Sequence, residues 1–118
     1  MAKVLIVDDA VADRLQLERM VAEAGHAVVT AASAEEAIAK ARAEQPALVF
    51  MDVNMPVTDG FSAARQLASD PRTKNIPVVF VTAKNQKADR VFAQILGARS
   101  FISKPYTADQ ILEQLKRI

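Results

Sequence analysis

Asp8 and Asp9 directly follow the apolar run Val4-Leu5-Ile6-Val7, and Asp52 follows Ala47-Leu48-Val49-Phe50-Met51. Thr82 closes Val78-Val79-Phe80-Val81, and Lys104-Pro105 stands just beyond Phe101-Ile102. Three carboxylates, a hydroxyl and an ammonium gathered on one rim would suit a cation and an anion together. Ionised carboxylates repel by roughly 4 kcal/mol per pair 4 Å apart at an effective dielectric near 20, so the cluster needs more positive charge than Lys104 supplies. The chain has no cysteine, and its single histidine is His26. The ligand set is therefore oxygen only, which favours Mg²⁺ over Zn²⁺ or copper. A phosphoryl group held by such a cation, Lys104 and Thr82 would meet a carboxylate nucleophile, the chemistry of an aspartyl phosphate. Asp52, alone at the end of its run, is the best placed.

Taken singly, each of these residues has an ordinary structural use. An Asp-Asp pair after a strand caps a helix, Thr82 is a common strand-end residue, and Lys104 is a solvated surface lysine. Only the constellation points to chemistry, and it requires elements that bring residues 8, 52, 82 and 104 to one edge.

The apolar runs are rich in β-branched residues and apolar on both faces, which predicts buried parallel strands. Ala27-Val28-Val29 is a further run of this kind, and Phe101-Ile102 is the shortest. Helical segments lie between them. Val11 to Ala24 carries apolar residues at 11, 15, 17, 20, 21 and 24, predicting one buried face, with Gly25 as a left-handed stop. Ser33-Ala34-Glu35-Glu36 is a capping box opening a helix to about Glu44, before Pro46. Further helices are predicted from about Phe61 to Ser69, from Gln86 to Leu96 with Gly97 behind it, and from Thr107-Ala108-Asp109-Gln110 to about Lys116. Five strand–helix units imply an α/β fold, an open doubly wound parallel sheet with five helices on its two faces. Such a sheet binds its ligand at the carboxyl ends of the strands, near a switch point in strand order.

The chain is 118 residues long, 51% hydrophobic and 25% charged, enough for one domain with a substantial core. A net charge of +1 gives neither the basicity of a nucleic-acid binder nor a membrane-seeking tract. The first apolar run is too short for a signal sequence or a membrane span, and a cytoplasmic location is expected. Neither G-x-x-x-x-G-K-[ST] nor G-x-G-x-x-G occurs, which argues against nucleotide binding by the usual phosphate loops. The near-neutral total hides an asymmetry: residues 1–59 hold ten acids and five bases, residues 60–118 four acids and ten bases.

The stretches Lys3 to Asp9, Met51-Asp52-Val53-Asn54-Met55-Pro56 with Asp59-Gly60, Val81-Thr82-Ala83, and Gly97-Ala98 followed by Lys104-Pro105, in this order and spacing, resemble a CheY-like response-regulator receiver domain. The resemblance covers essentially the whole chain and implies the flavodoxin-like strand order 2-1-3-4-5. It implies a phospho-acceptor: Asp52 takes a phosphoryl group from a phosphohistidine of a sensor histidine kinase. Asp9 and Asp52 would ligate Mg²⁺, Asp8 would act mainly through a bound water, and the Asn54 backbone carbonyl would complete the set. Lys104 would pair with the phosphoryl oxygens and Thr82 would move to hydrogen-bond one of them. The Lys104-Pro105 peptide would be cis.

The same resemblance makes Phe101, three before Lys104, the aromatic that follows Thr82, and sends the signal out through the face of the fourth helix, fifth strand and fifth helix. Phe101 stands where many relatives carry tyrosine, so its ring has no hydroxyl to bond when turned out. Asn54 and Lys84 stand at positions that tune phosphoryl lifetime. The run Thr82 to Arg90 is similar to regulators of twitching motility and chemosensory arrays. The expectation is a single receiver domain over residues 1–118 with no output domain, a monomer or weak dimer. It would catalyse only its own phosphorylation and dephosphorylation and dock to a downstream protein. The basic residues Lys84, Lys87, Arg90, Arg99, Lys116 and Arg117 predict a partner that is acidic there, with association weakening as salt rises.

Three alternatives stand beside it: a constitutive interaction module (a pseudo-receiver), a receiver fragment of a larger regulator, and a phosphatase of the haloacid dehalogenase type. The last wants a second Asp where this chain has Asn54. His26 reads as a surface or capping residue, Met51 and Met55 as packing, and Arg14, Arg65 and Arg90 as solvated helix faces.

Overall fold

The computed structural model describes residues 2–118. Strands β1 (Lys3–Val7), β2 (Ala27–Ala31), β3 (Leu48–Met51), β4 (Val78–Thr82) and β5 (Ser100–Ser103) alternate with helices α1 (Val11–Glu23), α2 (Ala34–Glu44), α3 (Gly60–Ser69), α4 (Lys87–Ile95) and α5 (Ala108–Lys116). All strand pairs are parallel, in the order β2-β1-β3-β4-β5. This is the architecture expected from the sequence.

Side chains of successive strand residues point to opposite faces, and both faces are covered. Val4, Ile6, Leu48, Phe50, Val79, Val81 and Ile102 pack with Leu17 and Val21 of α1 and Ile111 and Leu115 of α5. Leu5, Val7, Val49, Met51 and Phe80 pack on the other face with α2, α3 and α4 through Ala37, Ile38, Ala64, Leu67 and Ala93. Full burial of each such aliphatic side chain contributes about 1.5–3 kcal/mol. The chain winds from β1 outward to β2, then returns past β1 to β3. The carboxyl ends of β1 and β3 thus flank the switch point.

Three features depart from the sequence reading. Strands β2 and β5 extend beyond their apolar runs: Thr30 pairs with Ile6 and Ala31 with Val7, and Ser100 and Ser103 pair with Val79 and Thr82. Strand β2 is also an edge strand, with Ala27 exposed and Val28 to Thr30 half-buried, rather than apolar and buried on both faces. In α1, Val11 and Leu15 are 58% and 50% exposed. At 3.6 residues per turn Leu15 lies about 200° around the helix from Leu17, so the two cannot share the core face.

Helix ends follow their punctuation. Gly25 and Gly97 take φ of +94° and +83°, and Thr107 and Gln110 form a capping box. At α2 only half of the expected box forms: the Ser33 hydroxyl accepts from the Glu36 N–H, but the Glu36 carboxylate turns to the Ala32 N–H instead of that of Ser33. Val57, in the loop between β3 and α3, also has positive φ, +70°, and is 99% exposed. A β-branched residue is strained there by about 1–2 kcal/mol, and nothing buried offsets the strain. Val57→Gly is therefore expected to raise the unfolding free energy by about 1 kcal/mol after glycine's larger unfolded-state entropy is subtracted. Denaturant unfolding would show a higher midpoint; an unchanged or lower one would contradict the strain.

Candidate active site

Backbone pairing sets the site before any side chain does. Val7 pairs with Met51, the Asp52 N–H donates to the Val7 carbonyl at 3.0 Å, and the Asp8 N–H donates to Ala31 at 3.1 Å. Asp8 and Asp52 thus leave adjacent strands side by side. The Lys104 N–H donates to the Thr82 carbonyl at 2.9 Å, which carries β5 along β4 to the same edge, and the Lys104–Pro105 peptide is cis.

Lys104 Nζ then reaches across the sheet to Asp8 Oδ2 at 2.7 Å, Asp52 Oδ2 at 2.9 Å and Asp13 Oδ2 at 2.9 Å. The other Asp8 oxygen accepts from the Ala10 N–H and the other Asp52 oxygen from the Asn54 N–H. Asp8 and Asp52 are buried, while Asp9 is exposed. One oxygen each from Asp8, Asp9 and Asp52 lie within 4.8 Å of one another. Burial pushes the Asp8 carboxyl above its ordinary value, only partly countered by Lys104 and the Ala10 N–H. Burial works against the Lys104 ammonium, yet its bonds to Asp8, Asp13 and Asp52 prevail and hold it charged well beyond the usual lysine range. An oxygen-only cluster in which a buried carboxyl resists ionisation fits a small hard divalent cation, whose charge would oppose that resistance.

The remaining residues take distinct places. Thr82 is fully buried, and its Oγ1 accepts from the Lys84 N–H at 3.2 Å rather than bonding a site carboxylate. Asn54 is exposed beside Asp52. The Lys84 ammonium lies 3.5 Å from Asp89 Oδ1, on α4, and not among the site carboxylates. Phe101 is half-buried, its ring 6.4 Å from that of Phe80.

Sequence reasoning passed over two residues here, Asp13 and Asp89, and misread a third. Asp13, in the first turn of α1, is a third carboxylate on Lys104; its only sequence signal is that it stands five residues after Asp8. Asp89 is buried and accepts from the Gln86 N–H at 3.0 Å, closing the start of α4. Arg90 is not merely a solvated helix face: its guanidinium lies over the Phe101 ring at 4.9 Å and donates to Ser103 Oγ at 2.7 Å and Asn85 Oδ1 at 2.9 Å. Arg14 likewise donates to the Asp8 carbonyl at 2.8 Å, and Arg65 lies over the Phe92 ring at 5.8 Å. His26 Nδ1 accepts from the Ala2 N–H at 3.1 Å.

The 2-1-3-4-5 strand order is the one that the resemblance to receiver domains implied. In agreement, residues 4–116 match the family model of the response regulator receiver domain, and the chain belongs to that family. Within it, the chain is 39% identical over 118 residues to the protein PilH of Pseudomonas aeruginosa, covering 100% of this chain and 98% of PilH. The chemotaxis protein CheY4 of Vibrio cholerae superposes with a TM-score of 0.92 at 32% identity, covering 100% of this chain and 98% of that one. The likeness is therefore to stand-alone CheY-like receivers of the pilus-linked and chemotactic kinds, as the Thr82 to Arg90 run implied. The receiver domain of the sensor histidine kinase PA1611 of P. aeruginosa, whose structure has magnesium coordinated in its active-site cleft, superposes with a TM-score of 0.90 at 25% identity over 98% of this chain and 95% of its own. Several other curated relatives are longer, and the chain spans about half of their length or less.

Proposed function

We propose that the chain is one receiver domain in which Asp52 takes a phosphoryl group from the phosphohistidine of a sensor histidine kinase. The observation that carries this reading is the Lys104 ammonium 2.9 Å from the Asp52 carboxylate, beside two further carboxylates with oxygens within 4.8 Å. An Asp52 oxygen attacks phosphorus as the donor's N–P bond breaks, forming an acyl phosphate and returning the electron pair to the imidazole. Asp8, Asp9, Asp52 and the Asn54 backbone carbonyl would hold Mg²⁺, which when bound neutralises charge on the phosphoryl oxygens; Asp8 acts mainly through a bound water. Lys104 meets the same oxygens, and Thr82 exchanges its bond from the Lys84 N–H for one to the phosphoryl group. The carboxylates and the Lys104 ammonium are gathered before transfer, so catalysis is mainly positioning and electrostatics, and it acts on the protein itself.

Output follows Thr82 and Phe101 to the face of α4, β5 and α5. Val91 and Ile95 of α4 are 46% and 72% exposed and line one shallow surface with Lys87 and Phe92. That face suits docking by a partner protein acidic at its rim. Asn54 and Lys84 flank Asp52 and Thr82 and set phosphoryl lifetime. No described helix is long and apolar enough to cross a membrane. As a CheY-like receiver, the protein is placed by this reading in the cytoplasm, as a monomer or weak dimer.

Incubation with labelled acetyl phosphate and Mg²⁺ is expected to add one hydroxylamine-labile phosphoryl group to the peptide containing Asp52, and chelation is expected to prevent it. Label on a serine or threonine, or labelling indifferent to chelation, would overturn the proposal.

A further inference from the structure

We propose that Asp13 is a positioning residue that occupies the third N–H of Lys104 and gives it up to the arriving phosphoryl group; this rests on the phospho-acceptor reading above. A lysine ammonium has three N–H donors and no more. In this structure all three have a carboxylate acceptor: Asp8 at 2.7 Å, Asp52 at 2.9 Å and Asp13 at 2.9 Å. Lys104 can therefore donate to a phosphoryl oxygen only by releasing one of them.

The three bonds are unequal. The side chains of Asp8 and Asp52 are 8% and 9% exposed, whereas that of Asp13 is 46% exposed. Before transfer, while Asp52 is still a carboxylate, breaking either buried bond strands a carboxylate away from water, whereas Asp13 exchanges its bond for hydration at little cost. Asp13 and Lys104 also line a cleft of about 420 Å³ with Ala83 and Tyr106. Asp13 is absent from the group of carboxylates close enough to share a cation, so it acts through Lys104 alone. It keeps the ammonium aimed at rest, and it competes with the phosphoryl oxygens for that donor.

Asp13→Asn removes the competing charge and keeps a polar residue in the first turn of α1. Two measurements test the role. With saturating Mg²⁺, beryllofluoride is expected to bind Asp13→Asn about three- to fivefold more tightly than wild type, the range an exposed ion pair supports. In a Lys104→Ala background the same substitution is expected to change affinity by less than about 1.5-fold. Without any cation, ¹⁵N NMR of the Lys104 ammonium is expected to show faster proton exchange with water in Asp13→Asn than in wild type. Unchanged or weaker beryllofluoride binding by Asp13→Asn, an equal gain without Lys104, or unchanged ammonium exchange would overturn the role of Asp13. Failure of wild type itself to bind beryllofluoride would instead overturn the phospho-acceptor reading.

Discussion

Replacing Asp52 with asparagine is expected to lower phosphoryl labelling by on the order of a hundredfold or more while leaving the fold no less stable. The first effect follows from chemistry, because an amide oxygen is a poor nucleophile and cannot form the acyl phosphate. The second follows from the surroundings of Lys104. Removing one partner of a buried ion pair usually costs about 3–5 kcal/mol because it leaves a buried charge alone. Lys104 is not left alone, since Asp8 at 2.7 Å and Asp13 at 2.9 Å remain. The Asn54 N–H also keeps an oxygen to donate to at position 52. Meanwhile one of several crowded carboxylates disappears, and with it a repulsion of up to roughly 4 kcal/mol per ionised pair at 4 Å. Thermal unfolding without Mg²⁺ checks the balance. A fall in Tm beyond about 5 °C, roughly 1 kcal/mol for a domain of this size, would show that Asp52 is structural as well as reactive.

Gly60→Ala is expected to be the most damaging single methyl group in the molecule. A Cβ at Gly60 would lie 2.1 Å from the Asp52 carbonyl oxygen and 2.9 Å from the Asp52 carbonyl carbon and Val53 Cα. All three are backbone atoms, so relief requires either the start of α3 or the end of β3 to move. The same contact is bridged by the Gly60 N–H donating to the Val53 carbonyl at 2.8 Å, and Asp59 caps α3 by accepting from the Ser62 N–H at 2.8 Å. Movement there carries Asp52 with it. Roughly 3 kcal/mol of stability or more should be lost, lowering Tm by on the order of 10 °C, together with phosphoryl labelling. A folded Gly60→Ala protein with wild-type Tm would mean that the loop after β3 yields without cost.

The Asp59-Gly60 pair also shows how legibility varied. As part of a motif it was visible in the sequence, but its reason was not: nothing local in Gly60 distinguishes it from a helix-starting glycine, and only the packing of α3 against the end of β3 excludes a side chain. Asp8, Asp52 and Lys104 were legible because each ends an apolar run, and parallel strands place such ends on one edge. Asp13 was not, because an acid in the first turn of a helix already has a sufficient local explanation in the helix dipole. Arg90 was hidden for a similar reason, as an arginine on an amphipathic helix reads as solvated until β5 brings Phe101 and Ser103 beneath it. The exposure of Val11 and Leu15 was misjudged because hydrophobicity was taken for direction, whereas the helical angle from Leu17 decides it.

By itself, the sequence determined the alternation of strands and helices, the oxygen-only chemistry of the strand ends and membership of the receiver family. These depend on residue type and near-neighbour spacing, which the chain carries along its length. Tertiary structure alone decided which carboxylates share the Lys104 ammonium, since Asp13 and Lys104 are 91 residues apart and Asp52 and Lys104 are 52 apart. An ammonium has three donors and a few ångströms of reach. Which acceptors it finds is settled by strand order and register, and no local pattern encodes the distance between two strand ends.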